Sequence, residues 1–308
     1  MIELEELTKR FDDVLAVDNI TLTVHPGEVL ALLGPNGAGK TTTVRMLSAI
    51  LSPTSGRARI AGHDVVQCAR EVRKRVGVLT EAPGLYTRMT GREYLDFFGQ
   101  LRGLSAAKRK ERIAFLADWF KMTFALDRRL GGYSKGMAQK IALIRTLLHD
   151  PPVLLLDEPT SAMDPESARL VRDTIMQMRD DDHRSIIICT HNLPEAEELS
   201  DRLAVIHQGK IIEVGTSDEL KGRLLGTPLM ELRLLAPPHN GLLPLVESFA
   251  KIEATDGNWV RYSTTDPKTV NPALLRALSD SNIPVLTLSE VNQSLESVYL
   301  HIVGEAEQ

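Results

Sequence analysis

The run GPNGAGKTT, residues 34–42, follows the apolar stretch VLALL and precedes a helical pattern. It satisfies G-x-x-x-x-G-K-[ST] in the strand–loop–helix setting which that motif requires. Gly37 and Gly39 let the backbone curl so that successive N–H groups face phosphate oxygens. Lys40 carries a point charge suited to β- and γ-phosphates, and the Thr41 hydroxyl is placed to ligate Mg²⁺. Gly34, Pro35, Asn36, Ala38 and Thr42 complete the same cradle. The chemistry this predicts is the binding of a nucleoside triphosphate.

A second apolar run, VLLLDEP at 153–159, ends in two adjacent carboxylates. Asp157 falls at the carboxyl end of the expected strand, where open α/β sheets place their ligands and where it can hold the shell of a metal ion. Glu158 beside it can accept a proton from an attacking water. A third run, SIIICT, ends at His191. At a strand end beside the other two, this imidazole is placed to contact the γ-phosphate and help hold the water.

The stretch GGYSKGMAQK, 131–140, raises a different question. Ser134 is a good N-cap, Gly136 follows it, and Met137 begins a helical run. The free N–H groups and positive dipole end of such a helix also suit an anion. One chain therefore carries two anion-binding devices a hundred residues apart.

The elements that must position these groups read as follows. Residues 1–33 are strand-like and contain a Pro-Gly turn at HPGE; TTTVRMLSAIL after the cradle is a helix ending at Ser52-Pro53. SGRARIAGHDV reads as a short strand and turn, and VGVLTE as a buried strand. From Thr90 to Asp150 the period turns helical in TGREYLDFFGQLRGL, SAAKRKERIAFLADWFKM and KGMAQKIALIRTLLH, each with Ser or Thr near its start. Buried runs then alternate with the helix ESARLVRDTIMQMRDD, the pattern of a largely parallel sheet. Residues 228–303 change pattern again, to a βαββαβ order that suits a small ferredoxin-like domain and closes on a helix SLESVYLHI.

Composition bounds the function. The 308 residues are 43% hydrophobic and 25% charged, with a net charge of −5. That balance argues against non-specific nucleic-acid binding as the main role. Cys68 and Cys189 lie far apart and form no ligand spacing, so both are expected as buried thiols of a reducing cytosol. The start lacks the pattern of a signal peptide, and the longest apolar runs fall far short of the ~18 residues of a membrane span.

These motifs, in this order, resemble the ATP-binding subunit of an ABC transporter over residues 1–220. The resemblance implies an α/β P-loop NTPase cassette: a mostly parallel core sheet, an N-terminal antiparallel β subdomain and a helical insert at about 88–150. Residues 221–308 would form the small α+β accessory domain. It also implies why there are two anion sites. In this family two subunits pair head to tail, and Ser134 and Gly136 of one cap the γ-phosphate held by the glycine loop of the other. SAMD at 161–164 looks like the loop that joins the sites, and Phe11 matches the aromatic that stacks on adenine. ATP and Mg²⁺ are the implied cofactors, with Thr41, Asp157 and Glu81 as metal ligands, Glu158 and His191 as the catalytic pair.

Two features depart from the family's commonest pattern. YSKGM has Lys and Met where Gly and Gln are usual, and Glu81 stands where most members have glutamine. Both resemble the ABC-2 type exporters, whose C-terminal SLE helix is echoed by SLESVYLHIVG at 294–304. That subgroup implies a separate transmembrane permease as partner, a second copy of the cassette or a related chain, and a peripheral place on the cytoplasmic face of the plasma membrane. Leu85, Tyr86 and Met89 are expected near the permease contact. The alternative is a soluble ABC-type ATPase acting on ribosomes or DNA. A single cassette, with neither coiled-coil heptads nor a basic arm, speaks against it.

Overall fold

The computed structural model describes residues 1–82, 84–161, 163–224, 227–235, 237 and 241–291, together with Glu296 and Tyr299. The chain divides into two compact units, Met1–Thr216 and Ser217–Gln308.

The first unit opens with β1 (Ile2–Phe11) and β2 (Val14–Val24), paired antiparallel. Strict alternation would turn Leu7 outward. Instead Glu6 adopts a left-handed conformation, φ 49°, and the register shifts between Leu4 and Leu7, so Ile2, Leu4 and Leu7 all face the core. The buried strand β3 (Val29–Leu33) leads through the glycine loop into α1 (Lys40–Leu47). That helix is shorter than its sequence predicts. Ala49 turns left-handed, φ 54°, and the N–H groups of Ile50 and Leu51 fold back onto Arg45 O, closing the helix before Ser52. Next come β4 (Ser55–Ile60), β5 (His63–Asp64), α2 (Ala69–Arg75) and β6 (Val76–Leu79).

The helical insert carries α3 (Gly91–Leu101), α4 (Ala106–Trp119) and α5 (Lys135–Leu147). Thr90, Ser105 and Ser134 cap them, Thr90 in a reciprocal box with Glu93. The core then resumes with β7 (Val153–Asp157), α6 (Pro165–Asp180), β8 (Ser185–Thr190), α7 (Leu193–Leu199), β9 (Arg202–His207) and β10 (Lys210–Gly215).

Six strands form the central sheet in the order β10-β9-β3-β8-β7-β6, parallel except for β10 against β9. β2, β1, β4 and β5 form the separate antiparallel sheet. The central strands are buried on both faces, which is why they read as continuous apolar runs. Leu154, Leu156, Ile186 and Ile188 face a core shared with the helical insert, around Tyr94, Leu116 and Ile141. Val153, Leu155, Ile187 and Cys189 face the opposite core, with Leu30, Leu32 and Val44. Each fully buried leucine of this kind contributes roughly 2 kcal/mol, so the strand ends are held to a rigid edge.

The second unit contains α8 (Ser217–Leu224), β11 (Leu229–Leu234), α9 (Leu242–Glu247), β12 (Lys251–Asp256), β13 (Trp259–Ser263), α10 (Pro267–Asp280) and β14 (Val285–Glu290). Its sheet runs β12-β13-β11-β14 with every pair antiparallel, the ferredoxin-like order. Leu232, Val260 and Tyr262 pack with Leu242, Val246, Leu274 and Leu278 as its own core. α10 starts earlier than the run NPALLRALSDS predicts, because Asp266 caps it and Pro267 opens it; Pro272 is carried inside the helix. The predicted closing helix, 294–304, lies outside the described residues apart from Glu296 and Tyr299.

Cys189 is buried on β8 as expected, whereas Cys68 is only half-buried, just ahead of α2. No described helix is long and apolar enough to cross a membrane.

Candidate functional site

The glycine loop is shaped by what surrounds it. Gly39 adopts φ 111°, and a Cβ there would meet Ala16 O at 2.6 Å. Gly34 has an ordinary φ but no space: its Cβ would meet Ile206 O at 2.3 Å. These glycines are therefore required by close backbone approach from β2 and β9 as well as by curvature. Gly209, close to the same Ala16 O, donates its N–H to Ala38 O at 2.9 Å.

The loop opens onto a cavity of about 380 Å³ lined by Pro35 through Thr42, Ala16, Arg45, Glu81, Asp157, Glu158 and His191. Lys40, 8% exposed, begins α1, and its ammonium donates to Gly34 O and to Pro35 O. A buried cation held only by neutral carbonyls favours an anion beside it. At the end of β7, Asp157 is 4% exposed and accepts the Thr41 hydroxyl at 3.1 Å. Burial is the main reason its carboxyl titrates above the usual range; the charges of Glu158 and Glu81 add to this, and the Thr41 bond and Lys40 oppose it.

Glu158 takes a left-handed conformation, φ 50°, rare for a residue with a Cβ. Several bonds hold it there. Its N–H donates to Cys189 O at 2.8 Å, and its carbonyl accepts Gln139 Nε2 at 3.1 Å. Its Oε1 accepts the His191 N–H at 3.0 Å and lies 2.6 Å from His191 Nδ1. Its Oε2 lies 3.3 Å from Thr190 Oγ1. His191 itself keeps 68% of its side chain exposed, facing the cavity.

The donor set is chemically consistent with MgATP. A hydroxyl and carboxylate oxygens suit a hard divalent cation. Among the described residues no three acidic, His or Cys side chains converge as a self-sufficient metal site.

Other predicted residues lie elsewhere. Ser134 caps α5, accepting the Met137 N–H at 3.2 Å, and Gly136 stands in its first turn; neither lines the cavity. That turn holds Lys135 and no acidic residue, so its positive end is not offset. Asp164 caps α6, with Oδ2 3.9 Å from the Cβ position of Gly136; Ala162 of the same loop lies outside the described residues. Phe11 ends β1 with a ring 44% exposed beneath Lys9 Nζ and does not line the cavity. It is not a core residue. Tyr86 is exposed on an aromatic cluster with Tyr94, Phe97 and Phe98, whereas Leu85 and Met89 are partly buried and pack against the helical core.

Sequence reasoning missed Ala16 and Arg45 in the cavity wall and the buried Gln139, Thr190 and Glu195 behind Glu158. Gln139 sits inside the quoted GGYSKGMAQK run, but helical spacing gives its face and not its partner.

Residues 17–161 match the family model described as ABC transporter. The chain is 36% identical to the daunorubicin/doxorubicin resistance ATP-binding protein DrrA of Streptomyces peucetius, covering 98% of this chain and 92% of that one. It is 41% identical to the ABC transporter ATP-binding protein NatA of Bacillus subtilis (strain 168), over 71% of this chain and 91% of the relative. It is 34% identical to the Nod factor export ATP-binding protein I of Burkholderia lata over essentially both full lengths (100% and 98%). Among solved structures, an ATP-binding subunit of an ABC transporter superposes with a TM-score of 0.68 at 28% identity, covering 72% of this chain and 92% of the other. A dimeric cassette in a post-hydrolysis state, bound to ADP and Pi, matches with a TM-score of 0.65 at 21% identity over 70% and 98%, a likeness of fold.

Proposed function

Because the chain belongs to the ATP-binding subunits of ABC transporters, we propose a division of labour among its residues that follows from the cavity geometry. The protein is an ATP hydrolase that energises an ABC-2 type exporter through paired cassettes. The observation that carries the residue assignment is the convergence of Lys40, Thr41, Asp157, Glu158 and His191 on one cavity from separate strand ends.

Lys40 leaves its carbonyl partners for the β- and γ-phosphates, and the loop N–H groups at 34–42 cradle them. Thr41, Asp157 and Glu81 would hold Mg²⁺, which supplies neutralisation of the charge that develops on the phosphates. Glu158, clamped by His191 N–H, accepts a proton from the attacking water. His191, exposed toward the cavity, contacts the γ-phosphate and steadies it. Ser134 and Gly136, outside their own chain's cavity, cap the γ-phosphate of a second copy, and the exposed Phe11 stacks on adenine. A separate transmembrane permease receives the motion on the surface around Tyr86, which places the protein peripherally at the cytoplasmic face of the plasma membrane.

Glu158→Gln tests the reading. The amide keeps a hydrogen-bond acceptor for His191 N–H and removes the base, so hydrolysis falls by about 10²–10⁴ while MgATP stays bound and traps a dimer. A variant that hydrolyses at the normal rate and stays monomeric with MgATP refutes the assignment.

A further inference from the structure

Behind Glu158 lies a second carboxylate that the steps above do not use. Glu195, in the first turn of α7, is 3% exposed, and its N–H is capped by Asn192. Its Oε1 accepts the Thr160 hydroxyl, and its Oε2 lies 3.2 Å from Thr190 Oγ1. The same Thr190 Oγ1 lies 3.3 Å from Glu158 Oε2 and accepts the Asn192 N–H at 3.0 Å.

Proton counting decides the state of this chain of oxygens. A hydroxyl has one proton and two lone pairs. Asn192 occupies one lone pair, so Thr190 can donate to one glutamate only. If both were ionised, the other would face a lone pair of the fully buried Thr190 hydroxyl at contact distance, a costly way to leave a polar group. One proton on Glu195 Oε2 completes the set. Glu195 then donates to Thr190, Thr190 donates to Glu158, and Thr160 still donates to Glu195 Oε1. The proton belongs on Glu195 because Glu158 Oε1 already takes the His191 N–H, and Glu195 lies deeper.

The surroundings agree. From α6, Arg172 faces Glu195 but is paired with Glu198 at 3.2 Å. β3 contributes apolar side chains, and the end of β8 contributes Thr190 and then His191. Burial raises the Glu195 carboxyl above its ordinary range and the Glu158 charge adds to that, while the Thr160 and Thr190 hydrogen bonds and the Arg172 charge oppose it without cancelling it.

We propose that Glu195 works as a neutral acid, a positioning residue that keeps the Thr190 hydroxyl donating to the catalytic Glu158. The inference rests on the reading of Glu158 as the base.

Steady-state hydrolysis by the full chain across pH, for Glu195→Gln, Glu195→Ala, Thr190→Val and Glu158→Gln, tests it, with binding of a fluorescent ATP analogue as the check of folding. Glutamine at 195 donates permanently, so that variant keeps kcat within about threefold and loses the fall on the alkaline side that ionisation of Glu195 gives the wild type. Glu195→Ala and Thr190→Val lose about tenfold or more in kcat, with KM for MgATP within about twofold. The proposal is overturned if Glu195→Gln loses as much as Glu195→Ala, or if Thr190→Val turns over at the wild-type rate. Should the alanine and valine variants fail to bind nucleotide, the pH profile of Glu195→Gln decides alone: an alkaline fall like the wild type's overturns the idea. An inactive Glu158→Gln alongside an inactive Glu195→Gln refutes this inference only. An active Glu158→Gln removes the base assignment and this inference with it.

Discussion

Gln139→Ala probes the link between the capped helix α5 and the backbone of Glu158. The left-handed conformation of Glu158 costs roughly 1–2 kcal/mol, and it persists only because its surroundings hold it. Gln139 is 5% exposed, and its Nε2 donates to Glu158 O at 3.1 Å and to Pro159 O at 3.4 Å. Alanine removes both bonds, each with a net value of about 1 kcal/mol, and leaves Pro159 O short of a donor at about 1 kcal/mol more. Glu158 O retains the Ser161 N–H at 3.2 Å, which limits the loss there. The sum is about 3 kcal/mol, before any contribution from the cavity left behind. For a unit of this size that lowers the melting temperature by about 6–12 °C. The transition to follow by circular dichroism is the one MgATP raises, since that reports the unit holding the cavity. Turnover should also fall, by about tenfold, because a carboxylate released from a strained backbone drifts from the water it must meet. KM for MgATP should hardly move, since the loop at 34–42 does not touch Gln139. A variant that melts within about 2 °C of the wild type and hydrolyses at its rate would refute the claim that Gln139 holds Glu158 in place.

Two further outcomes follow from the same structure. His149 Nε2–H donates to Val76 O at 3.1 Å, and burial, then Arg102, lowers its pKa from 6.5 to about 4. A base depressed in the folded state stabilises fully above its unfolded value and loses that stability as pH falls toward 4, about 2 kcal/mol by pH 5. In urea unfolding, His149→Gln should therefore show a drop between pH 7 and pH 5 smaller than the wild type's by that amount; equal drops would place the imidazole in contact with water. Tyr86 is 50% exposed, so Tyr86→Ala should cut recovery of the permease in detergent pull-downs by about tenfold with ATP binding intact. Leu85→Ala and Met89→Ala, which touch the helical core, should lower the melting temperature as well. Full recovery with Tyr86→Ala would move the contact elsewhere.

The sequence by itself determined whatever depends on local geometry. A glycine loop between a buried strand and a helix can curl in few ways, so Lys40 and Thr41 were legible from spacing alone. Ser134 and Thr90 were legible as caps because a cap acts within its own turn. Apolar runs ending in Asp157, Glu158 and His191 announced strand ends, because strands buried on both faces leave only their ends for chemistry. The short strand β5, α2 between Cys68 and β6, and the pair β9 and β10 were not read, because weak local patterns gain their structure from the sheet they join. The early end of α1 depended on Ala49 turning left-handed, a choice its side chain does not advertise. Tertiary structure alone decided which buried polar groups meet. Gln139 reaches Glu158 across 19 residues, and Thr190 stands between Glu158 and Glu195. Periodicity assigns a residue to a face, but the hydrogen-bond partner on that face is set by the packing of distant elements.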